Sequence, residues 1–232
     1  MNETKTFEAY KLGIIPYEKA LIIQEELILK LRESPETGYL LFLRHPHVYT
    51  LGKRGKHDDI LETVDPITGN EISIIQSDRG GLVTYHGPNQ LICYPIFNLK
   101  NWGGVKKYVK TLEKTILTSL EKIGVGNLTT SNKIGVWVKT SDSHSERKIA
   151  FIGIKVSKGI TSHGFSINVK SCDEYFQKII PCGIPNLAIT SIDEENVDIT
   201  DLSKLENIIA DSVSENFHVP IIWKNTLTLS SI

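Results

Sequence analysis

Cys182 stands between Pro181 and Gly183. A cysteine so flanked is poor material for a helix or a strand and belongs on a tight, partly exposed turn that a substrate can reach. A free thiol has a pKa of about 8.5, so little of it is thiolate at neutral pH unless a cation helps. Lys148, 34 residues upstream, is the candidate cation. It heads the run Lys148-Ile149-Ala150-Phe151-Ile152-Gly153, and His163-Gly164-Phe165-Ser166-Ile167-Asn168 lies between it and the cysteine. A thiolate beside an ammonium group suits covalent acyl chemistry at sulfur.

A second glycine-rich run is Asp78-Arg79-Gly80-Gly81-Leu82-Val83-Thr84-Tyr85-His86-Gly87-Pro88-Asn89-Gln90. Adjacent glycines let a backbone pass close to a ligand, and the arginine beside them can orient a carbonyl or a phosphate. The alternative is a hairpin turn with a surface arginine. The chain has neither G-x-x-x-x-G-K-[ST] nor G-x-G-x-x-G, so a nucleotide cradle is not expected. His45, His47, His86 and His163 lack the spacing of metal ligands. No metal or cofactor is expected; His86 and His163 are read as holding loops or lining a pocket. Cys93 is read as core, Cys172 as a bystander, and Lys155 and Lys158 as solvated strand-end lysines. Lys106, Lys107 and Lys110, with Lys53, Arg54 and Lys56, form solvated faces that could steer an acidic partner.

These residues need a scaffold, and 232 residues with 40% hydrophobic and 23% charged content can build one. A net charge of -1 gives no support for nucleic-acid binding. Three cysteines make no disulfide framework, which suggests a reducing, cytoplasmic setting. Met1 to Lys5 resembles neither a secretory signal nor a transit peptide, and no segment is long enough to span a membrane. The spacing predicts strands over 7–15, 39–43, 48–51, 72–76, 91–96, 134–138, 148–156 and 161–169. A helix opens at Pro16, with Ala20, Ile23, Leu27 and Leu31 on one face. A second carries the stripe Val105, Val109, Leu112, Ile116, Leu120 and Ile123 and stops at Gly124. A third covers 201–217, with Leu202, Leu205, Ile209 and Val213 inward. Residues 140–146 form a polar loop. Helices separated by groups of strands, without a linker, imply one α+β domain over 1–232 built on a mixed or antiparallel sheet flanked by helices.

The ordered motifs Arg-Gly-Gly-x-x-Thr-Tyr-His-Gly-Pro, Lys-Ile-Ala-x-Ile-Gly, His-Gly-Phe-x-x-Asn-Val and Pro-Cys-Gly-Ile resemble those of the octanoyltransferases of lipoic acid synthesis. Arg44 to Gly52 and the Gly135-Val136-Trp137-Val138 strand fit the same family, and the likeness runs from the first helix to about Ser191. It implies the fold of the biotin and lipoate protein ligases. It also implies transfer of an octanoyl group from octanoyl-acyl carrier protein to a lysine of a lipoyl domain. The acceptors implied are the lipoyl domains of 2-oxoacid dehydrogenases and the glycine cleavage H protein. By position Cys182 corresponds to the family's nucleophile and Lys148 to its partner, and their separation agrees with the family pattern. Arg79, Gly80, Gly81, Leu82, Val83, Thr84, Tyr85, His86, Phe151, Ile152, Gly153, Gly164, Phe165 and Ser166 correspond to its acyl-site lining. Two positions depart from the pattern. Asn89 replaces a glycine and is expected to tolerate a left-handed backbone; His47 replaces a proline or small residue.

The implied chemistry is consistent. Thioester exchange at cysteine changes free energy little, and aminolysis to an amide runs downhill without ATP. Lys148 would favour the thiolate in the first half-reaction and take a proton from the incoming amine in the second. Backbone N–H groups at Gly153 and Gly164 are the expected oxyanion donors, at about 3 kcal/mol each. Three alternatives remain open: an ATP-dependent lipoate or biotin ligase, an amidotransferase between lipoyl-bearing proteins, and a non-catalytic acyl-binding protein.

Overall fold

The computed structural model describes residues 4–100, 102–130, 133–140 and 145–227. The strands in chain order are β1 (Thr6–Ile14), β2 (Thr37–Arg44), β3 (Val48–Leu51), β4 (Ser73–Gln76), β5 (Val83–His86), β6 (Gln90–Ile96), β7 (Leu128–Thr129), β8 (Val136–Lys139), β9 (Glu146–Ser157), β10 (Ile160–Asn168) and β11 (Ile221–Trp223). The helices are α1 (Tyr17–Glu33), α2 (Gly104–Lys122), the single-turn α3 (Asp173–Phe176) and α4 (Leu202–Phe217). Eight strands form one mixed sheet in the order β11-β1-β2-β6-β10-β9-β8-β7, and β4-β3-β5 form a small second sheet. In the large sheet β11, β1 and β2 run parallel and the other pairs are antiparallel.

The large sheet is covered on both faces, which explains why β2 reads as a continuous apolar run. Leu40 and Phe42 point to the face under α2 and α4, with Phe165 and Ile167 of β10. Tyr39, Leu41 and Leu43 point to the opposite face, where α1 buries Ala20, Ile23, Leu27 and Leu31 as their spacing predicts. Farther along the chain, the small sheet and α3 pack Tyr49, Val83, Tyr85 and Phe176 together with Phe151 of β9.

The structure shifts some expected elements. Val105 lies in the first turn of α2 and is 47% exposed; Tyr108, Leu112, Ile116 and Leu120 form the buried row. Ile134 is exposed and precedes β8. β5 emerges from the glycine-rich run read as a turn, because β3 pairs with it residue by residue from Val48–His86 to Leu51–Val83. β11 has three residues and exists by pairing with Phe7 to Ala9. Of the loop expected at 140–146, residues 141–144 lie outside the described residues.

Candidate functional site

Pro181, Cys182 and Gly183 form one tight 3₁₀ turn. Cys182 has φ 57°, a left-handed conformation that costs a residue with a side chain roughly 1–2 kcal/mol. Strain of this kind marks a backbone held by its surroundings. Gly183 follows at φ 70°, and a Cβ there would stand 2.8 Å from Leu82 Cδ1, so the turn lies against the glycine-rich loop.

The chain returns to Lys148 through backbone pairing. The Lys148 N–H donates to Ala188 O at 2.9 Å and Lys148 O accepts from the Thr190 N–H at 3.0 Å. The cysteine turn therefore lies on a segment laced to β9 beside the lysine. Lys148 Nζ lies 3.7 Å from Cys182 Sγ and donates to Ile134 O at 2.9 Å. The side chain is 3% exposed and lies over the rings of Trp137 (5.0 Å) and Phe151 (4.7 Å). Burial lowers the Lys148 pKa below the usual lysine range, while Cys182 and Glu113 oppose that shift.

One pocket holds both residues on its wall. Arg79 to Thr84, His86, Phe151 to Gly153 and Gly164 to Ser166 line it, as do Tyr17, Tyr94 and His163. Tyr85 does not. Strand alternation turns it to the other side of β5, where it stacks on Tyr175 at 4.6 Å and its hydroxyl meets His47 Nδ1 at 2.8 Å.

Arg79 is neither on the surface nor free to orient a phosphate. Its guanidinium donates to Thr50 O at 2.6 Å, Thr50 Oγ1 at 2.8 and 3.2 Å, and Gly80 O at 3.1 Å. All these acceptors are neutral, so a buried cation stands beside Cys182 in addition to Lys148. Lys155 is likewise not a simple solvated lysine: it pairs with Asp78. The other oxygen of Asp78 meets His163 Nε2 at 2.8 Å. His163 has φ 55°, and its backbone N–H donates to Gln24 Oε1 of α1 at 2.6 Å. Thr84 Oγ1, His163 Nδ1 and Ser166 Oγ have no hydrogen-bond partner, and all three side chains line the pocket.

The glycine amides expected as oxyanion donors point elsewhere. In an antiparallel ladder the N–H and C=O of one residue face the same side, and successive residues alternate. Ile154 O accepts from the Gly80 N–H, away from β10, while the Thr161 N–H reaches Phe97 O, away from β9. Gly153 and Gly164 lie opposite each other with odd and even parity reversed, so their amides face one another across the ladder. By the same alternation the Ile152 amide faces the β8 side of β9, between Ile154, which meets Gly80, and Ala150, which pairs with Val136. Gly164 has a packing role: a Cβ there would meet Cys93 O at 2.2 Å.

The remaining expectations are placed as follows. His86 Nδ1 contacts Gln90 Oε1 at 3.0 Å. His45 contacts Ile15 O at 2.8 Å and the Tyr94 hydroxyl at 3.0 Å. Asn89 has no positive φ; its side-chain amide donates to Ser171 O at 3.0 Å. Cys93 and Cys172 are buried, and burial pushes the Cys172 thiol up to about 12. Tyr17, Tyr94 and Glu113 carried no local sequence signal of their positions, since each is an ordinary residue of a helix or strand.

Known proteins resemble this chain in sequence and in fold. The family model of the lipoyl protein ligase A/B catalytic domain matches residues 16–214. An octanoyltransferase of Cytophaga hutchinsonii is 36% identical over 84% of this chain and 85% of its own length. One from Solibacter usitatus is 42% identical over 75% and 77%. A mitochondrial octanoyltransferase of Arabidopsis thaliana is 35% identical over 99% and 97%. Among solved structures, a lipoate-protein ligase A bound with ATP superposes with a TM-score of 0.71 at 13% identity, covering 97% of this chain and 90% of that one. A bipartite lipoate protein ligase from Thermoplasma acidophilum gives 0.69 at 16%, covering 97% and 88%. The α+β fold is thus shared with the lipoate protein ligases, and the chain belongs to the lipoyl protein ligase A/B catalytic domain family, among its octanoyltransferases.

Proposed function

We propose that this chain is a single catalytic domain that moves an octanoyl group from octanoyl-acyl carrier protein to a lysine of a lipoyl domain through a thioester on Cys182. The observation that carries this is the 3.7 Å approach of Lys148 Nζ to Cys182 Sγ on the wall of one pocket, in a chain of this family. Lys148 and Arg79 line that pocket and no carboxylate among the described residues does, so the wall offers positive charge to a sulfur that attacks a carbonyl. In the first half-reaction the sulfur attacks the donor thioester carbonyl, the carrier's C–S bond breaks, and the carrier leaves as a thiol with the proton Cys182 gave up. In the second, the acceptor amine attacks the Cys182 thioester, and its proton passes by way of Lys148 to the departing sulfur. Burial brings the Lys148 pKa down toward the range in which it can both give and take a proton.

Each half-reaction passes through an oxyanion. The Ile152 amide and the Lys148 ammonium are the proposed donors; one such donor contributes roughly 3 kcal/mol. The acceptors proposed are lipoyl domains of 2-oxoacid dehydrogenases and the glycine cleavage H protein.

The test is intact mass spectrometry after mixing with octanoyl-acyl carrier protein, without ATP. An octanoyl adduct that hydroxylamine removes and Cys182→Ala abolishes is the expected result. Lys148→Ala should form the adduct about 100-fold more slowly or worse. Lipoyl-domain modification that needs ATP and survives Cys182→Ala would instead show a ligase.

A further inference from the structure

Lys148 does not hold its place alone. The carbonyl that binds its ammonium belongs to Ile134, and the next residue, Gly135, has φ 124° and donates its N–H to Glu113 Oε1 at 3.2 Å. Glu113 sits on α2, on the far side of that turn from the pocket, and is 2% exposed. Its other oxygen accepts from Lys110 Nζ at 2.8 Å, one turn earlier on the same helix, and Lys110 reaches solvent. A carboxylate is almost never buried this fully unless it is paired, and Glu113 is held between Lys110 and the Gly135 N–H. Here the acceptor fixes a turn that no side chain other than glycine's could enter: a Cβ on Gly135 would stand 2.6 Å from both Lys148 Cε and Ala150 O.

We propose that Glu113 is a positioning residue for Lys148. It anchors the Ile134–Gly135 turn that receives the Lys148 amine, and it supplies from behind a negative charge that favours the ammonium form. The charged and titratable groups acting on Lys148 are Cys182 from the cysteine turn, Glu113 from α2 and Lys133 from the start of the 133–135 turn. Trp137 of β8 and Phe151 of β9 add only their ring faces. Cys182 and Glu113 favour the ammonium form; burial and Lys133 oppose it. Glu113 is thus the carboxylate that balances the site from outside the pocket.

This inference deepens the proposed acyl chemistry, and its test needs no acyl substrate. The Lys148 Cε resonance of the full-length protein, labelled with ¹³C-lysine and assigned by its loss in Lys148→Arg, is followed against pH. Glu113→Gln keeps an acceptor for the Gly135 N–H and removes the charge. The Lys148 midpoint should fall by about 0.5–1 pH unit, with the thermal melt still cooperative. Lys110→Gln leaves Glu113 without its neutralising partner and should move the midpoint up by a smaller step. If Glu113→Gln folds and the midpoint stays at the wild-type value, the proposal is wrong, whatever the activity. If that variant does not fold, Lys110→Gln decides: a rise supports the proposal and an unmoved midpoint overturns it. A wild-type protein that transfers no octanoyl group, while Glu113→Gln still shifts the midpoint, would count against the acyl chemistry and leave Glu113's role standing.

Discussion

Gly135 and Lys148 meet with no room for a methyl group between them: a Cβ on the glycine would lie 2.6 Å from Lys148 Cε. The glycine also has φ 124°, outside the range side chains accept. Gly135→Ala must therefore displace the lysine, the turn, or both. The expected cost is about 2 kcal/mol of stability, from backbone strain and overpacking together. Urea denaturation gives the stability. Iodoacetamide labelling at neutral pH gives the second effect, since Cys182 should label more slowly once its cation moves. Unchanged labelling would mean that Lys148 does not set the reactivity of Cys182.

Arg79 clamps the glycine-rich loop to Thr50 through a fork of N–H groups that lysine cannot reproduce. Arg79→Lys keeps the charge and loses the fork. A drop in stability of about 2–3 kcal/mol is expected, because buried acceptors lose their partners. A melting curve that matches the wild type would show the clamp to be dispensable.

Stability should fall as the solution becomes mildly acidic, and His45 is a main cause. Burial lowers its pKa to about 4, partly opposed by its contact with Ile15 O. Above its ordinary value of about 6.5 it is neutral in both states. Between about 6.5 and about 4 the unfolded chain binds a proton that the folded chain refuses, so stability declines as pH falls. The loss from this residue levels off near about 3 kcal/mol. His86 and His163, whose pKa values burial also lowers, act in the same direction. Denaturation midpoints at pH 7, 5.5 and 4.5 measure the slope, and His45→Gln should make it shallower. An equal slope in that variant would remove His45 as a cause.

The amino-acid sequence determined much of the architecture, because much of it is set by local periodicity. The buried faces of α1 and α4, the exact span of β3 and the long strands β9 and β10 follow from apolar spacing. The Pro-Cys-Gly turn announces itself because proline and glycine restrict what the backbone around Cys182 can do. Tertiary structure alone decided the short strands. β5 is hidden at the end of a glycine-rich run and β11 has only three residues, and their partners lie far away in the chain. It also decided which way single groups point. Tyr85 turns from the pocket, Arg79 turns inward to Thr50, and the amides of Gly153 and Gly164 face each other, because a pleat assigns sides only once the register is known. Glu113 and Lys148, on a helix and a strand with no local pattern linking them, enter one electrostatic unit only where α2 packs beneath the 133–135 turn. Interactions between charges depend on distance in space and on burial, and neither is written along the chain.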